Sequence, residues 1–266
     1  MERVTSNDGT PIAYERTGSG PSVILIGGGL DDGSENAPLV PLLAERFTVI
    51  NYARRGRGES GDTAPYAVAR EIEDLEALID ETGGRAHLYG VSTGGALVLE
   101  AAVAGIAADR LAVYEVPFNM ADDWPPRWTA YVEQLDEVLA AGRRNDALEL
   151  FLKVTGASDE DIAGARNSPF WSGSEALAHT LAYDAACLGD GRPPVTRLAR
   201  ITQPTLVATG AGSQAVGAAE WMLALDPAAD AIASSIPNAE RQVFEGQSHL
   251  ADPEVVASVL ARFFAT

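Results

Sequence analysis

The chain has 266 residues, 46% of them hydrophobic, and its 38 acidic and 19 basic side chains give a formal net charge of −19. This composition is typical of a globular protein with one large or two small domains. The acidic balance disfavours nucleic acids and anionic membranes as partners, because both bind clusters of Lys and Arg. One cysteine, Cys187, excludes internal disulfides, and three histidines leave little room for a multi-histidine metal site.

The first residues of the chain bear on its location. Met1-Glu2-Arg3 and the polar residues after it lack the apolar core of a signal peptide. No apolar run is long enough to span a bilayer. We therefore expect a cytoplasmic protein with no membrane partner, and the sequence leaves the formation of a homo-oligomer open.

Strand-like and helical runs alternate at both ends of the chain, which predicts an α/β fold with a mostly parallel sheet. Asn7-Asp8-Gly9 lies between two short segments and indicates a hairpin. Short apolar runs predict strands at residues 22–26, 47–51, 86–89, 111–115, 204–209 and 241–244. Apolar residues at helical spacing predict helices at residues 67–79, 96–104 and 253–264.

The middle of the chain has a different pattern. Between residues 120 and 200 we predict only helices: 127–141, 146–154, a short one after Ser158, and 175–188 with Ser174 as its N-cap. The sequence therefore predicts a core formed by residues 1–119 and 201–266, interrupted by a helical cap insertion at residues 120–200.

One motif carries chemistry. Gly90-Val91-Ser92-Thr93-Gly94 fits G-x-S-x-G, and it lies between a predicted strand and a predicted helix. In this context the serine occupies a strained turn that exposes its Oγ above the sheet, and side chains at the glycine positions would clash with the turn. We therefore predict Ser92 as a nucleophile, the alternative being a glycine-rich turn that only tightens packing.

A serine nucleophile needs a base, and only His249 lies between the last predicted strand and the final helix. His87 falls inside the strand that leads to Ser92, where a packed core imidazole is expected. His179 lies in the helical insertion, and we expect a surface or packing role for it, although it could face a pocket.

The acid that would orient this base is chosen by position. The strand at 204–209 leads to Ser213, where the usual pattern would place Asp, and a serine cannot stabilise an imidazolium as a carboxylate does. Glu115 ends the strand at 111–115, a costly place for a carboxylate without a partner. We predict Glu115 as the acid. Asp252 is the competitor, but it precedes Pro253 and is typical of a helix N-cap.

Three further segments lie near these motifs. The backbone N–H groups of Gly29 and Thr93 are the candidate oxyanion donors. The acidic residues Asp31, Asp32 and Glu35 fit no calcium loop, and we interpret them as a solvated loop. The basic run 54–58 is expected to pair with nearby carboxylates rather than to form a binding patch.

These motifs resemble the α/β-hydrolase superfamily, and they occur in family order from end to end. More narrowly, Tyr114-Glu-Val-Pro-Phe118 resembles the Y-E-P-P-F motif of a bacterial subgroup of small capped hydrolases that lacks the usual later Asp. The position of Glu115 is similar to that of the triad acid in fungal zearalenone lactonases. The chain departs from the family pattern at Gly27, Ala53 and Val91.

The expected function is a cofactor-free, metal-free serine hydrolase of a small, apolar or aromatic ester or lactone, acting through a Ser-His-Glu triad. The alternative is a non-hydrolytic use of the fold: a small-molecule receptor, a cyclase-type biosynthetic enzyme or a perhydrolase. Aromatic residues of the cap are candidates to line the substrate pocket, or only to pack the cap helices: Trp124, Trp128, Tyr131, Phe170 and Trp171.

Overall fold

A computed structural model of the chain describes residues 1–214 and 219–265. Within these ranges eight strands form one sheet: β1 (Glu2–Thr5), β2 (Pro11–Gly18), β3 (Ser22–Ile26), β4 (Thr48–Tyr52), β5 (Ala86–Val91), β6 (Ala108–Tyr114), β7 (Thr205–Gly210) and β8 (Ala239–Phe244). Their order is β1-β2-β4-β3-β5-β6-β7-β8. β1 and β2 form the predicted hairpin, β2 is antiparallel to β4, and all later neighbours are parallel.

Helices cover both faces of this sheet. The described ranges contain α1 (Leu39–Leu43), α2 (Val68–Glu81), α3 (Thr93–Ala104), α4 (Trp124–Ala140), α5 (Arg144–Val154), α6 (Asp159–Arg166), α7 (Trp171–Leu177), α8 (Leu181–Leu188), α9 (Val195–Leu198), α10 (Glu220–Leu223), α11 (Leu225–Ser235) and α12 (Pro253–Phe264). None of the helices within the described ranges is both long and apolar enough to cross a membrane.

The two faces of the sheet explain why its central strands are continuous apolar runs. Successive side chains of a strand point to opposite faces. In β3, Val23 and Leu25 belong to the buried cluster that includes α1 and α12, whereas Ile24 and Ile26 belong to the cluster that includes α2 and α3. Because both faces are buried, no polar alternation is needed. The predicted α/β-hydrolase fold is confirmed.

Helices α4 to α8, residues 124–188, follow β6 and precede β7, and we call them the inserted helical segment. Trp124, Trp128, Tyr131 and Leu135 lie three or four residues apart on α4, so they share one helix face and are buried in the same apolar cluster as α3. This segment lies within the predicted cap, and the exact division at 120–200 stays a prediction.

Some predicted boundaries in this segment were wrong. α4 begins at Trp124 rather than at 127, because Pro125 and Pro126 occupy its first turn, where backbone N–H groups need no helical partner. The predicted helix 175–188 is two helices, separated by a 3-10 turn at Ala178–Thr180. Ser174 is not an N-cap, since its N–H donates to the carbonyl of Phe170 inside α7. Outside this segment, the prediction also missed α11.

Candidate active site

Ser92 occupies the sharp turn between β5 and α3, with φ 54° and ψ −128°. The turn lies so close to the loop after β3 that a Cβ on Gly94 would lie 2.4 Å from the carbonyl oxygen of Gly27. Among the described non-glycine residues, positive φ occurs at Leu30, Ser92 and Glu115. Each lies in a loop of this site, so the backbone strain is concentrated there.

The predicted acid and base meet. His249 Nδ1 lies 2.8 Å from Glu115 Oε2, and the Glu115 side chain is fully buried. The other carboxylate oxygen, Oε1, accepts hydrogen bonds from Gly210 N at 2.8 Å and from Ser213 Oγ at 2.5 Å. With Nδ1 engaged by the carboxylate, Nε2 is the ring nitrogen left for a serine proton. Ser213, where the usual acid would stand, is therefore a donor to Glu115.

The loop that carries His249 is fixed by its neighbours. Tyr114, the residue before Glu115, donates its hydroxyl to Ser248 O at 2.5 Å, and Gly212 N donates to Gln247 O at 2.6 Å. Asp252, the competing acid, uses its carboxylate to accept from Glu254 N at 2.8 Å as the N-cap of α12. Its contacts are those predicted for a cap.

The two predicted oxyanion donors are free for a ligand. No acceptor among the described residues binds the backbone N–H of Gly29 or Thr93, and both residues line the same cavity as Ser92 and His249. The neighbouring N–H of Gly28 is occupied, because it donates to Glu35 Oε2 at 2.6 Å. The roles of Gly29 and Thr93 as oxyanion donors stay predictions that this geometry permits.

The acidic loop is exposed to solvent at Asp32 and Glu35, as predicted, but its carboxylates also accept backbone hydrogen bonds. The Glu35 carboxylate binds Gly28 and lines the cavity, and the half-buried Asp31 accepts from Glu35 N at 2.8 Å. The pKa of the Glu35 carboxyl is raised, mainly by burial and further by the negative charge of Asp31. The hydrogen bond from Gly28 N–H and the nearby His249 lower this pKa and offset part of the rise. These hydrogen bonds hold the loop in one conformation, and the sequence pattern alone does not reveal them.

The basic run after β4 pairs with carboxylates, as predicted. Arg54 donates Nε and Nη2 to the two oxygens of Glu71, at 2.8 Å each, and Nη1 to Asp184 Oδ1, also at 2.8 Å. The same oxygen accepts from Arg57 Nη2 at 2.7 Å and from Thr93 Oγ1 at 2.8 Å. Asp184 belongs to α8, so this network ties the inserted helical segment to the residue that follows Ser92.

The cavity in front of Ser92 has a volume of about 370 Å³. Of the predicted aromatic residues, Trp124, Trp128 and Tyr131 line it. Phe170 and Trp171 do not: they border a separate cavity of about 150 Å³, where Phe170 is 79% exposed. Trp171 is held there by the hydrogen bond from its Nε1 to Asn145 Oδ1, at 2.6 Å.

The remaining histidines lie outside the cavity. His87 stacks on Phe264, with ring centroids 4.7 Å apart, in the packed position that was predicted. His179 Nε2 lies 3.6 Å from Oδ2 of Asp62, a residue of the loop after β4. In residues 1–214 and 219–265, no group of three His, Cys, Asp or Glu side chains could hold a metal ion.

A model of the alpha/beta hydrolase family matches residues 23–259. The chain belongs to this family. It is 46% identical to an alpha/beta hydrolase from Sphaerobacter thermophilus DSM 20745, whose crystal structure superposes with a TM-score of 0.86 over 99% of this chain and 100% of that one. The predicted superfamily is therefore confirmed.

Curated relatives match only in part. A probable oxidoreductase, EphD, from Mycobacterium tuberculosis strain H37Rv is 36% identical over 118 residues, or 42% of this hydrolase. The match spans only 20% of the length of EphD. A putative carbamate hydrolase, RutD, from Caulobacter vibrioides strain NA1000 is 33% identical over 110 residues, which are 39% of this chain and 41% of RutD.

Sequence reasoning missed several residues that line the cavity of this hydrolase: Glu35, Phe151, Thr155, Asp184 and Trp221. A signal was present for one of them. Asp184 is a carboxylate inside the apolar run Leu181–Leu188, and such a group needs a buried partner, by the same argument that selected Glu115. The positions of the others depend on how their helices and loops pack in three dimensions, which the local sequence pattern does not show.

Proposed function

We propose that this hydrolase is a cofactor-independent serine hydrolase that cleaves a small, apolar or aromatic ester or lactone through an acyl-enzyme. The observation that carries the proposal is the Glu115–His249 hydrogen bond, at 2.8 Å, in a cavity that also exposes the strained Ser92. A serine on a strained turn, a base and a buried orienting carboxylate are the parts that acyl transfer requires.

In this reaction Ser92 Oγ attacks the carbonyl carbon while His249 Nε2 takes its proton. Glu115 holds the imidazole by Nδ1 and stabilises its positive charge. The N–H groups of Gly29 and Thr93 bind the oxyanion. His249 then protonates the leaving alkoxide, and a water molecule, deprotonated by His249, hydrolyses the acyl-enzyme to release the acid and restore Ser92.

Ester or lactone bonds fit the apolar lining of the cavity. Trp124, Trp128, Phe151 and Leu181 offer an apolar surface, with polar groups confined to a few positions. The partial likeness to the putative carbamate hydrolase RutD supports hydrolysis of an acyl group bonded to a heteroatom.

Labelling with a fluorophosphonate tests the serine. We expect the reagent to modify Ser92, with the site read by peptide mass spectrometry, and S92A to remain unlabelled with an unchanged melting temperature. A folded wild-type protein that is not labelled would refute the serine nucleophile and would favour a receptor function. Aryl esters, aliphatic esters and lactones, assayed side by side, then define the class of substrate.

A further inference from the structure

The charged groups of the substrate cavity are of one sign. Glu35 and Asp184 line it, and no Lys or Arg is among the described residues that do so. The two carboxylates flank the oxyanion loop. A Cβ on Gly28 would lie 3.3 Å from Glu35 Oε2, and a Cβ on Gly29 would lie 3.3 Å from Asp184 Oδ2.

Asp184 has one oxygen without a partner. The residue is only 4% exposed. Its Oδ1 accepts from Arg54, Arg57 and Thr93, whereas its buried Oδ2 has no hydrogen-bond donor among residues 1–214 and 219–265. A buried acceptor without a donor is costly. A ligand that brings a positive charge or an N–H group to this end of the cavity would remove that cost.

The arginines behind the cavity neutralise Asp184 but leave Glu35 without a cationic partner. Arg54 is paired with Glu71 through two hydrogen bonds, and Arg57 with Asp184 through one. These four groups sum to zero charge. Glu35 has no ion pair with any Lys or Arg in the described part of the chain, so its negative charge remains. The chain as a whole adds to the same field, with a net charge of −19.

We propose that, among small esters with an apolar group, this cavity prefers one that also carries a positive charge, such as a quaternary ammonium group, over a neutral ester of the same shape and over a carboxylate. The inference rests on the hydrolase function proposed above. The carboxylates carry it rather than the aromatic residues, because Trp128 packs against the rings of Trp124 and Tyr131, with centroids 5.8 and 5.1 Å away. One of these rings, Trp124, already has the guanidinium of Arg127 over its face, 5.4 Å from the centroid.

Three butanoate-type esters test the charge preference. Choline butanoate and 3,3-dimethylbutyl butanoate have the same shape and differ by the charge, and the 3,3-dimethylbutyl half-ester of succinate adds a carboxylate. We expect E35Q and D184N each to lower the ratio of kcat/KM for the choline ester to that for the neutral ester, by about 3- to 30-fold. The intrinsic reactivity of the esters cancels when the ratio is compared between variants.

A matched control removes one negative charge elsewhere. Glu45 is exposed and borders a different cavity, so E45Q changes the net charge as E35Q does without changing the substrate cavity. We expect E45Q to keep the wild-type ratio. A fall in the ratio as large as that in E35Q would overturn the inference, because the overall field, and not the cavity, would then select the charge.

Binding separates this inference from the proposed hydrolysis. The intact esters are titrated into S92A by calorimetry, and we expect the choline ester to bind more tightly than the neutral ester, and the succinate half-ester most weakly. Equal binding of the choline and neutral esters would overturn charge selection even if the wild type hydrolyses both. If a fluorophosphonate does not label Ser92 of the folded wild type while S92A still prefers the cation, the proposed function fails and the charge selection stands.

Discussion

Replacing Glu115 by Gln tests the triad, because the surroundings of this side chain fix how the new amide must lie. Oε1 of Glu115 accepts from both Gly210 N–H and the Ser213 hydroxyl. The oxygen of the new amide is therefore held at this end, and its NH₂ group faces His249 Nδ1. Two donors cannot face each other, so the imidazole must carry its proton on Nε2, where it can no longer accept the proton of Ser92.

The size of the effect follows from the alternatives open to the variant. Turning the amide round would leave the buried N–H of Gly210 without an acceptor, at about 1–3 kcal/mol. The imidazolium also loses a hydrogen bond to a charged group, worth about 1.5–3 kcal/mol. Together these amount to about 2.5–6 kcal/mol in the barrier. We therefore expect kcat to fall by about 10² to 10⁴-fold.

The assay is the hydrolysis of the best ester substrate, with the melting temperature as a check on the fold. The matched control is D252N, the same change at the competing acid, where Asn can still cap α12. We expect D252N to keep its activity within a few-fold of wild type. Activity of E115Q within tenfold of wild type would refute this reasoning, and a larger loss in D252N would identify Asp252 as the acid.

Three further predictions concern single positions. In G28A the new Cβ would lie 2.9 Å from Ser92 Cβ, so we expect fluorophosphonate labelling to slow at least about tenfold, and an unchanged rate would contradict this close approach. Burial raises the pKa of the Cys187 thiol to about 12, so we expect a thiol reagent to modify this residue only when the protein unfolds. Rapid modification of the native protein would contradict this prediction. Burial lowers the pKa of His87 from its ordinary value near 6.5, so the unfolded chain binds the extra proton and stability falls as the pH drops below 6.5. H87F keeps a ring on Phe264 but cannot bind the proton, so its free energy of unfolding should fall less steeply below pH 6.5, by at most about 1.4 kcal/mol per pH unit. Denaturant titrations at several pH values measure this, and equal pH dependence in wild type and H87F would refute it.

The predictable parts of this molecule are those specified by local pattern. Buried parallel strands such as β3 are continuous apolar runs, and the strained turn at Ser92 needs glycines on either side. Glu115 could be predicted because a carboxylate at the end of an apolar strand requires a partner, and because Ser213 leaves the usual acid position empty. Each of these signals lies within a few residues of the feature that it predicts.

The parts that could not be predicted depend on how loops fold back and in which direction helices run. Glu35 lies in a polar loop whose sequence is typical of a solvated one, and its hydrogen bond to Gly28 exists only because the loop turns back on itself. The 3-10 turn at Ala178–Thr180, which separates α7 from α8, contains no glycine or proline that would predict it. Phe170 and Trp171 are aromatic residues in the right segment, but the direction of α7 places them at another cavity.

The carboxylate of Asp184 also limits how helical segments can be exchanged among related hydrolases. It is contributed by the inserted helical segment, whereas Arg54, Arg57 and Thr93 belong to the surrounding fold. A transplanted segment without an acid at this position would leave two buried guanidinium groups short of an acceptor, a defect of several kcal/mol. In this chain, a replacement of the inserted helical segment is therefore expected to fold well only if it supplies an acid at the position of Asp184.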